Sequence, residues 1–321
     1  MKKKLKSLLT IMFILLFTIL IIIKPQKINN TILLSCNIFI KNIVPSLFPM
    51  YIIANMLIDI KIPKFLSNIF NNTFYKLFKV SGEASFIFFI SILTGAPSNA
   101  KYINDLLETK NISINTAQKI LLFSSFINPL FIINTTGTIF LNNTKIGIYL
   151  FLSHILSNIL TGITFRNYKK DIKINQYTSL KDNLKDLNHN INNNNLFKTI
   201  LTSIKNSIDP LLTIFSTLTF FLILINILNL NNNNIISILL SGILEMTTGL
   251  KMLSTSLINY NLKIYISMFF ISFGGLSIHA QIFNMLNKKK INYLPFFISK
   301  IINSIYSIII IYFTLQLNVL F

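Results

Sequence analysis

The chain has 321 residues, 52% of them hydrophobic and only 12% charged, about half the charged share of an ordinary soluble domain. Its 29 Lys and Arg against 9 Asp and Glu give a net charge of +20. These basic residues mark the ends of apolar runs, where they face lipid headgroups, and do not gather in one domain. That pattern excludes a nucleic-acid partner and describes an all-α polytopic membrane protein with membrane lipids as its surroundings. Richness in Asn, Ile, Lys and Phe, with 9 Gly and no Trp, also fits an AT-rich coding sequence, so charge alone carries little. Cys36 is the only cysteine and the three histidines are far apart. An intrachain disulfide is thus ruled out, and neither a metal motif nor a cofactor is expected.

Met1 to Lys6 is basic and leads into an apolar stretch to Ile23. Lys24-Pro25-Gln26-Lys27 offers no small-residue cleavage site, so the stretch reads as an uncleaved first span with a cytoplasmic N-terminus. Residues 1–30 form this span and a short loop. Thr31 to Ile60 is interrupted at Lys41-Asn42, Pro45 and Pro49, predicting two pieces or one broken span. Ile62 to Val80 has the mixture expected of an amphipathic helix at the membrane surface.

Ala84 to Ala100 is short for a crossing and ends at Gly95-Ala96-Pro97, which leaves a re-entrant hairpin and a true span equally open. Ala117 to Gly137 is broken at Asn128-Pro129, and Ile146 to Phe165 is a clean span carrying His154 and Asn158. Residues 31–165 form a first membrane half. Arg166 to Asn195 is polar, basic and Asn-rich, as expected of a disordered cytoplasmic linker. Residues 196–321 form a second half with apolar runs Leu196–Leu230, Ile235–Ile258, Leu262–Phe283 and Tyr293–Leu317, the last two separated by Lys288-Lys289-Lys290. The total amounts to about eight to ten spans or hairpins.

The two halves share an order of landmarks. Lys41-Asn42 with Pro45 parallels Lys205-Asn206 with Pro210. Leu93-Thr94-Gly95 and Lys101 parallel Leu240-Ser241-Gly242 and Lys251. Phe126-Ile127-Asn128-Pro129 parallels Phe270-Ile271-Ser272-Phe273. An inverted repeat with broken helices or re-entrant hairpins is therefore expected, its interruptions meeting near the midplane.

Five hydrophilic residues beside helix-breaking Gly or Pro stand out: Asn99, Lys101, Glu245, His279 and Gln281. A carboxylate at the centre of a membrane helix costs roughly 2.5–3.5 kcal/mol on insertion scales and by default marks a functional site. Glu245 is thus a candidate solute or proton contact, set against a structural pair with Lys251 or His279. His279 and Gln281 come just after a Gly274-Gly275 break facing either a cavity or a hydrogen-bonded core. Lys101 is a candidate attractor for an anion at the mouth of the first hairpin, or a snorkelling surface lysine. Ser98, Asn99 and Asn128 are candidate donors to a solute, or helix caps beside Pro97 and Pro129. Asp209 before Pro210 reads as a kink, and His154 with Asn158 as interhelical hydrogen-bonding residues. No spacing of titratable groups suggests an enzyme.

Four segments carry a family resemblance: Gly95-Ala96-Pro97-Ser98-Asn99-Ala100-Lys101; Phe123-Ser124-Ser125 with Asn128-Pro129-Leu130-Phe131; Gly242 to Gly249; and Gly275-Leu276-Ser277-Ile278-His279-Ala280-Gln281. In this order they resemble the YlbJ-type (SpoVV) sporulation integral membrane proteins, distant relatives of nucleoside-recognition (Gate) and concentrative nucleoside transporter folds. The resemblance runs from about Thr31 onward. Asn99 and Asn128 stand where that family commonly has Gly. The resemblance implies an inverted repeat with hairpins, a role in endospore formation, and transport of dipicolinate, a small anionic aromatic solute, across the outer forespore membrane. Other sporulation membrane proteins are then expected partners. The competing reading is a membrane scaffold for spore cortex or envelope assembly that transports nothing.

Overall fold

The computed structural model describes residues 2–169, 195–230, 234–286 and 291–319, and every regular element among them is helical. Residues 170–194, most of the expected linker, and the lysine run 288–290 lie outside the described residues.

Helix α1 spans Lys2–Ile23 and α2 spans Pro25–Ile38. They meet at Lys24 with a bend of 98°, where Pro25 occupies the first turn of α2, the position at which its missing N–H costs nothing. The interruption expected near Lys41 and Pro45 is milder than a break. Phe39–Ile43 forms one wide π-type turn that passes directly into α3, Val44–Asp59. Such a turn absorbs a local mismatch without stopping the helix. Helix α4, Ile62–Phe78, runs between two lysines, Lys61 and Lys79, held in the left-handed conformation.

Two sets of elements then repeat one order. The first is a helical hairpin, α5 (Ala84–Thr94) and α6 (Ser98–Glu108), turned at Gly95–Pro97. Next comes a broken span, α7 (Ile114–Phe123) and the π-type helix α8 (Phe131–Phe140), with non-helical backbone between them, and then the unbroken α9 (Thr144–Thr164). After the long α10 (Leu196–Ile227), the second set is a hairpin of α11 (Ile235–Leu244) and α12 (Met246–Thr255) turned at Glu245. A broken span is next, α13 (Tyr260–Phe273) and α14 (Gly275–Leu286) parted at Gly274, and then α15 (Tyr293–Val319). The hairpin arms α5 and α11, of 11 and 10 residues, reach only about 15–16 Å, half the thickness of a bilayer core. Among the described residues, four helices are long and apolar enough to cross a membrane, or five if the bent α1–α2 pair is one span. That is fewer full crossings than the apolar runs suggested, because several runs fold as half-length arms of hairpins or broken spans.

The sets pack across each other. α6 lies on α14, α12 on α8, α9 on α15, and α3 on α10. The asparagines of this biased composition work as caps: Asn143, Asn195, Asn234 and Asn259 each accept a main-chain N–H at the start of a helix. Across the α9–α15 contact, Asn303 donates to the Asn158 side-chain oxygen at 2.7 Å, and Ser157 donates to Asn303 at 2.8 Å. Such pairs tie membrane helices together where lipid gives no hydrophobic drive for association.

Candidate functional site

Three of the interruptions, together with the first turns of α14 after the fourth, line one cavity of about 700 Å³. Its wall takes Ala96 and Pro97 from the first hairpin turn, Ile127 and Asn128 from the first broken span, Glu245 to Thr248 from the second hairpin turn, and Ser277, Ile278 and Gln281 from the second broken span. Apolar side chains of α10, among them Ile214, Leu218 and Leu222, close another side, while Asn42, Asn226 and Lys251 add polar groups. The volume falls within the range of small-molecule sites, which combine apolar walls with a few placed polar groups.

Each turn has a physical cause. Gly95 has φ +80°, and a Cβ there would lie 2.7 Å from the Asn128 amide nitrogen. Only glycine therefore lets the first hairpin touch the first broken span. The Ala96 amide donates to the Phe126 carbonyl at 2.5 Å, which fastens the two interruptions together. Asn128 caps the helical turn that leads into α8, its Oδ1 accepting the Leu130 amide at 2.8 Å, and its Nδ2 reaches the Leu93 carbonyl at 3.4 Å. In the second set, Glu245 has extended backbone, and its carboxylate accepts the amides of Thr247 (3.1 Å) and Thr248 (2.7 Å) and the Thr248 hydroxyl (2.8 Å).

Of the residues singled out in the sequence, Asn128, Glu245 and Gln281 line this cavity. The others stand behind it. Ser98 is fully buried, with its hydroxyl facing the Tyr51 and Tyr102 side chains. Asn99 is also fully buried; its Nδ2 reaches Ser124 Oγ (3.4 Å) and Ser125 Oγ (3.3 Å), while its Oδ1 has no partner. Lys101 is neither at an open mouth nor snorkelling. Its ammonium is held between Asn55 Oδ1 (2.5 Å) and Asp105 (2.7 Å), and little of the residue is exposed. His279 sits among Phe273, Phe296, Phe297 and Tyr293, bonded to the Tyr293 hydroxyl and the Phe273 carbonyl, each at 3.0 Å. The Glu245 carboxylate finds its hydrogen bonds at the start of its own helix, not at Lys251 or His279, the partners weighed from the sequence.

Sequence reasoning missed Lys300. It is 2% exposed in the first third of α15, and its ammonium donates to the Ser125 carbonyl at 3.2 Å. The signal was present: Ser299, Lys300, Asn303, Ser304 and Ser307 form a polar stripe at helical spacing in an apolar span, and all five are buried. His154, on α9, accepts the Ile127 amide at 3.1 Å, one residue before Asn128.

Fold and site together define an integral membrane protein of the polytopic helical class, with paired hairpins and broken spans around one cavity. Searches against protein-family models and against solved structures yielded no match. The chain is similar to the sporulation integral membrane protein YlbJ of Bacillus subtilis (strain 168). The two are 27% identical over 335 aligned positions, which take in 95% of this chain and 81% of that relative.

Proposed function

We propose that this protein is a carrier that moves a small anionic aromatic solute, with dipicolinate as the first candidate, across the outer forespore membrane of a sporulating cell. The likeness to a sporulation integral membrane protein supports the setting. The observation that carries the transport reading is the convergence of both hairpin turns and both broken spans on one cavity. Irregular backbone at membrane depth is tolerated where it is buried in protein or lines a cavity, and paired broken elements are a common design of carriers. A planar aromatic ring suits the apolar wall of Ile214, Leu218 and Ile278, and carboxylates suit the Asn128, Gln281 and Lys251 side chains that share it. Movement of one set of elements against the other would expose the cavity to each side in turn. No enzymatic step enters this reading.

The test is the dipicolinate content of spores from a deletion strain, complemented with the wild-type gene or with Asn128→Leu or Gln281→Leu at matched protein level. Low dipicolinate that wild type restores and the cavity variants do not is the expected result. Normal dipicolinate in the deletion strain removes this solute. Full rescue by both variants favours a scaffold for envelope assembly.

A further inference from the structure

Lys300 has no use in the cavity just described, since the cavity wall does not include it. Its environment is nonetheless unusual. Two histidines, His154 from α9 and His279 from α14, are its titratable neighbours. The helices packed on α15 are α7, α9 and α13. None of these three, nor α14, nor α15 itself, contains an Asp or Glu. The other charged groups on them lie elsewhere: Lys119 of α7 donates to the Lys79 carbonyl, Lys263 of α13 to the Ser254 carbonyl at 2.9 Å, and Lys145 of α9 is exposed. On α6 the one described ion pair, Lys101–Asp105, is self-contained. A buried lysine without a carboxylate costs several kcal/mol when charged. A lysine amine, unlike a guanidinium, can relieve that cost by releasing its proton.

The one acceptor described for the amine lies at a mechanical junction. Ser125 belongs to the non-helical backbone between α7 and α8. Its hydroxyl receives Asn99 from the first hairpin at 3.3 Å, while its carbonyl receives Lys300 from α15 at 3.2 Å. Two residues on, Ile127 and Asn128 form the cavity wall. Next to the junction, Asn99 Oδ1 is a buried acceptor without a donor. A solute anion confined to the cavity does not touch Lys300, which the cavity wall leaves out.

Resting on the carrier reading, we propose that Lys300 is a proton-binding site that couples solute movement to a proton gradient. With the proton bound, the ammonium ties α15 to the Ser125 carbonyl through a charge-assisted hydrogen bond. On release, the N–H bond breaks, the electron pair stays on nitrogen and the proton passes to water. The neutral amine then holds the carbonyl less strongly, and the wall segment 125–128 is freed to move with the first hairpin.

Two measurements on the full chain separate this proposal from the carrier reading. In vesicles of phosphatidylethanolamine and phosphatidylglycerol, dipicolinate uptake is measured with and without an imposed pH gradient, alongside exchange at equal pH. Wild type is expected to accumulate solute only with the gradient. Lys300→Met and the permanently charged Lys300→Arg are expected to lose that accumulation while keeping exchange. Wild-type uptake that ignores the gradient overturns the proposal and leaves the carrier standing. If wild type moves no dipicolinate at all, the carrier reading fails on its solute, and thermal unfolding in detergent decides the proton site. A pH-dependent step in wild-type stability that both Lys300 variants lack, and that His154→Gln and His279→Gln retain, supports it; profiles of the same shape in wild type and the Lys300 variants overturn it.

Discussion

The Glu245 carboxylate accepts the Thr248 amide at 2.7 Å, so the residue that ends α11 also closes the start of α12 with its own charge. A helix N-terminus presents unpaired N–H groups and partial positive charge, which attract an anion. At α12 that place is already filled from within the chain, and the turn is stabilised from both sides of one residue.

Replacing Glu245 by Ala removes the cap and the charge together, with a cost of about 1–2 kcal/mol expected. Glu245→Gln keeps an acceptor but loses the charge, so its loss is smaller. Thermal unfolding in detergent checks the order wild type, Gln, Ala. Equal stability for all three would detach Glu245 from the hairpin turn.

Gly242 and Gly249 let the arms of the second hairpin meet. A Cβ built on Gly249 lands on the backbone of Gly242, and one built on Gly242 lands on the Phe270 ring. Gly249→Ala is expected to destabilise the protein by about 1–3 kcal/mol through overpacking. Gly274→Ala is a control without such a clash, since its Cβ meets only Ile278 atoms at 3.7–3.8 Å, although its φ of +86° adds strain. Unfolding temperatures of the two variants check the prediction, and an unaltered Gly249→Ala protein would argue against the close contact.

Asn303 serves two partners at once, Asn158 and Ser157. Asn303→Leu strips the Asn158 Oδ1 of its donor and leaves Ser157 and Asn158 only their bonds to the His154 carbonyl, at an expected cost of about 1–3 kcal/mol. In a double-mutant cycle with Asn158→Leu the coupling is expected to be near ~0.6 kcal/mol, the average for interhelical pairs in membranes. A coupling of zero would mean that the pair does not form.

Lys101 and Asp105 form an ion pair whose side chains are 10% and 27% exposed. Removing one partner leaves the other charge poorly solvated, whereas removing both does not. Lys101→Met is therefore expected to reduce folded yield more than Lys101→Met combined with Asp105→Leu. Size-exclusion chromatography of the purified variants ranks them, and a double variant worse than the single one would contradict the pairing.

Much of the fold is legible in the sequence because the interruptions are written in residues with strong backbone preferences. Gly95-Ala96-Pro97, Asn128-Pro129 and Gly274-Gly275 each announce a stop, and each is one. The second hairpin is harder to place. Gly242 parallels Gly95 in order, but the turn falls three residues later at Glu245, because Gly242 serves close packing and a capping carboxylate makes the turn. The break expected at Pro45 is absent, since a proline just past a wide turn is accommodated inside a continuing helix. Side-chain direction is not legible at all. His279 and Gln281 sit two residues apart on α14, yet one faces an aromatic nest and the other the cavity. The direction of each is set by the phase of a helix that restarts at Gly275. Lys300 escapes notice for a related reason, as an apolar average over a span hides a stripe of small polar groups.

Helix α10 has 32 residues and measures about 48 Å, against the roughly 30 Å of a hydrocarbon core. Its first half carries Lys198, Lys205 and Asp209, so the apolar part is residues 210–227, about 27 Å long, which matches that core. Since Ile214, Leu218 and Leu222 of that apolar half close the cavity, the chamber lies within the hydrocarbon layer, and the charged half of the same helix reaches past it toward water.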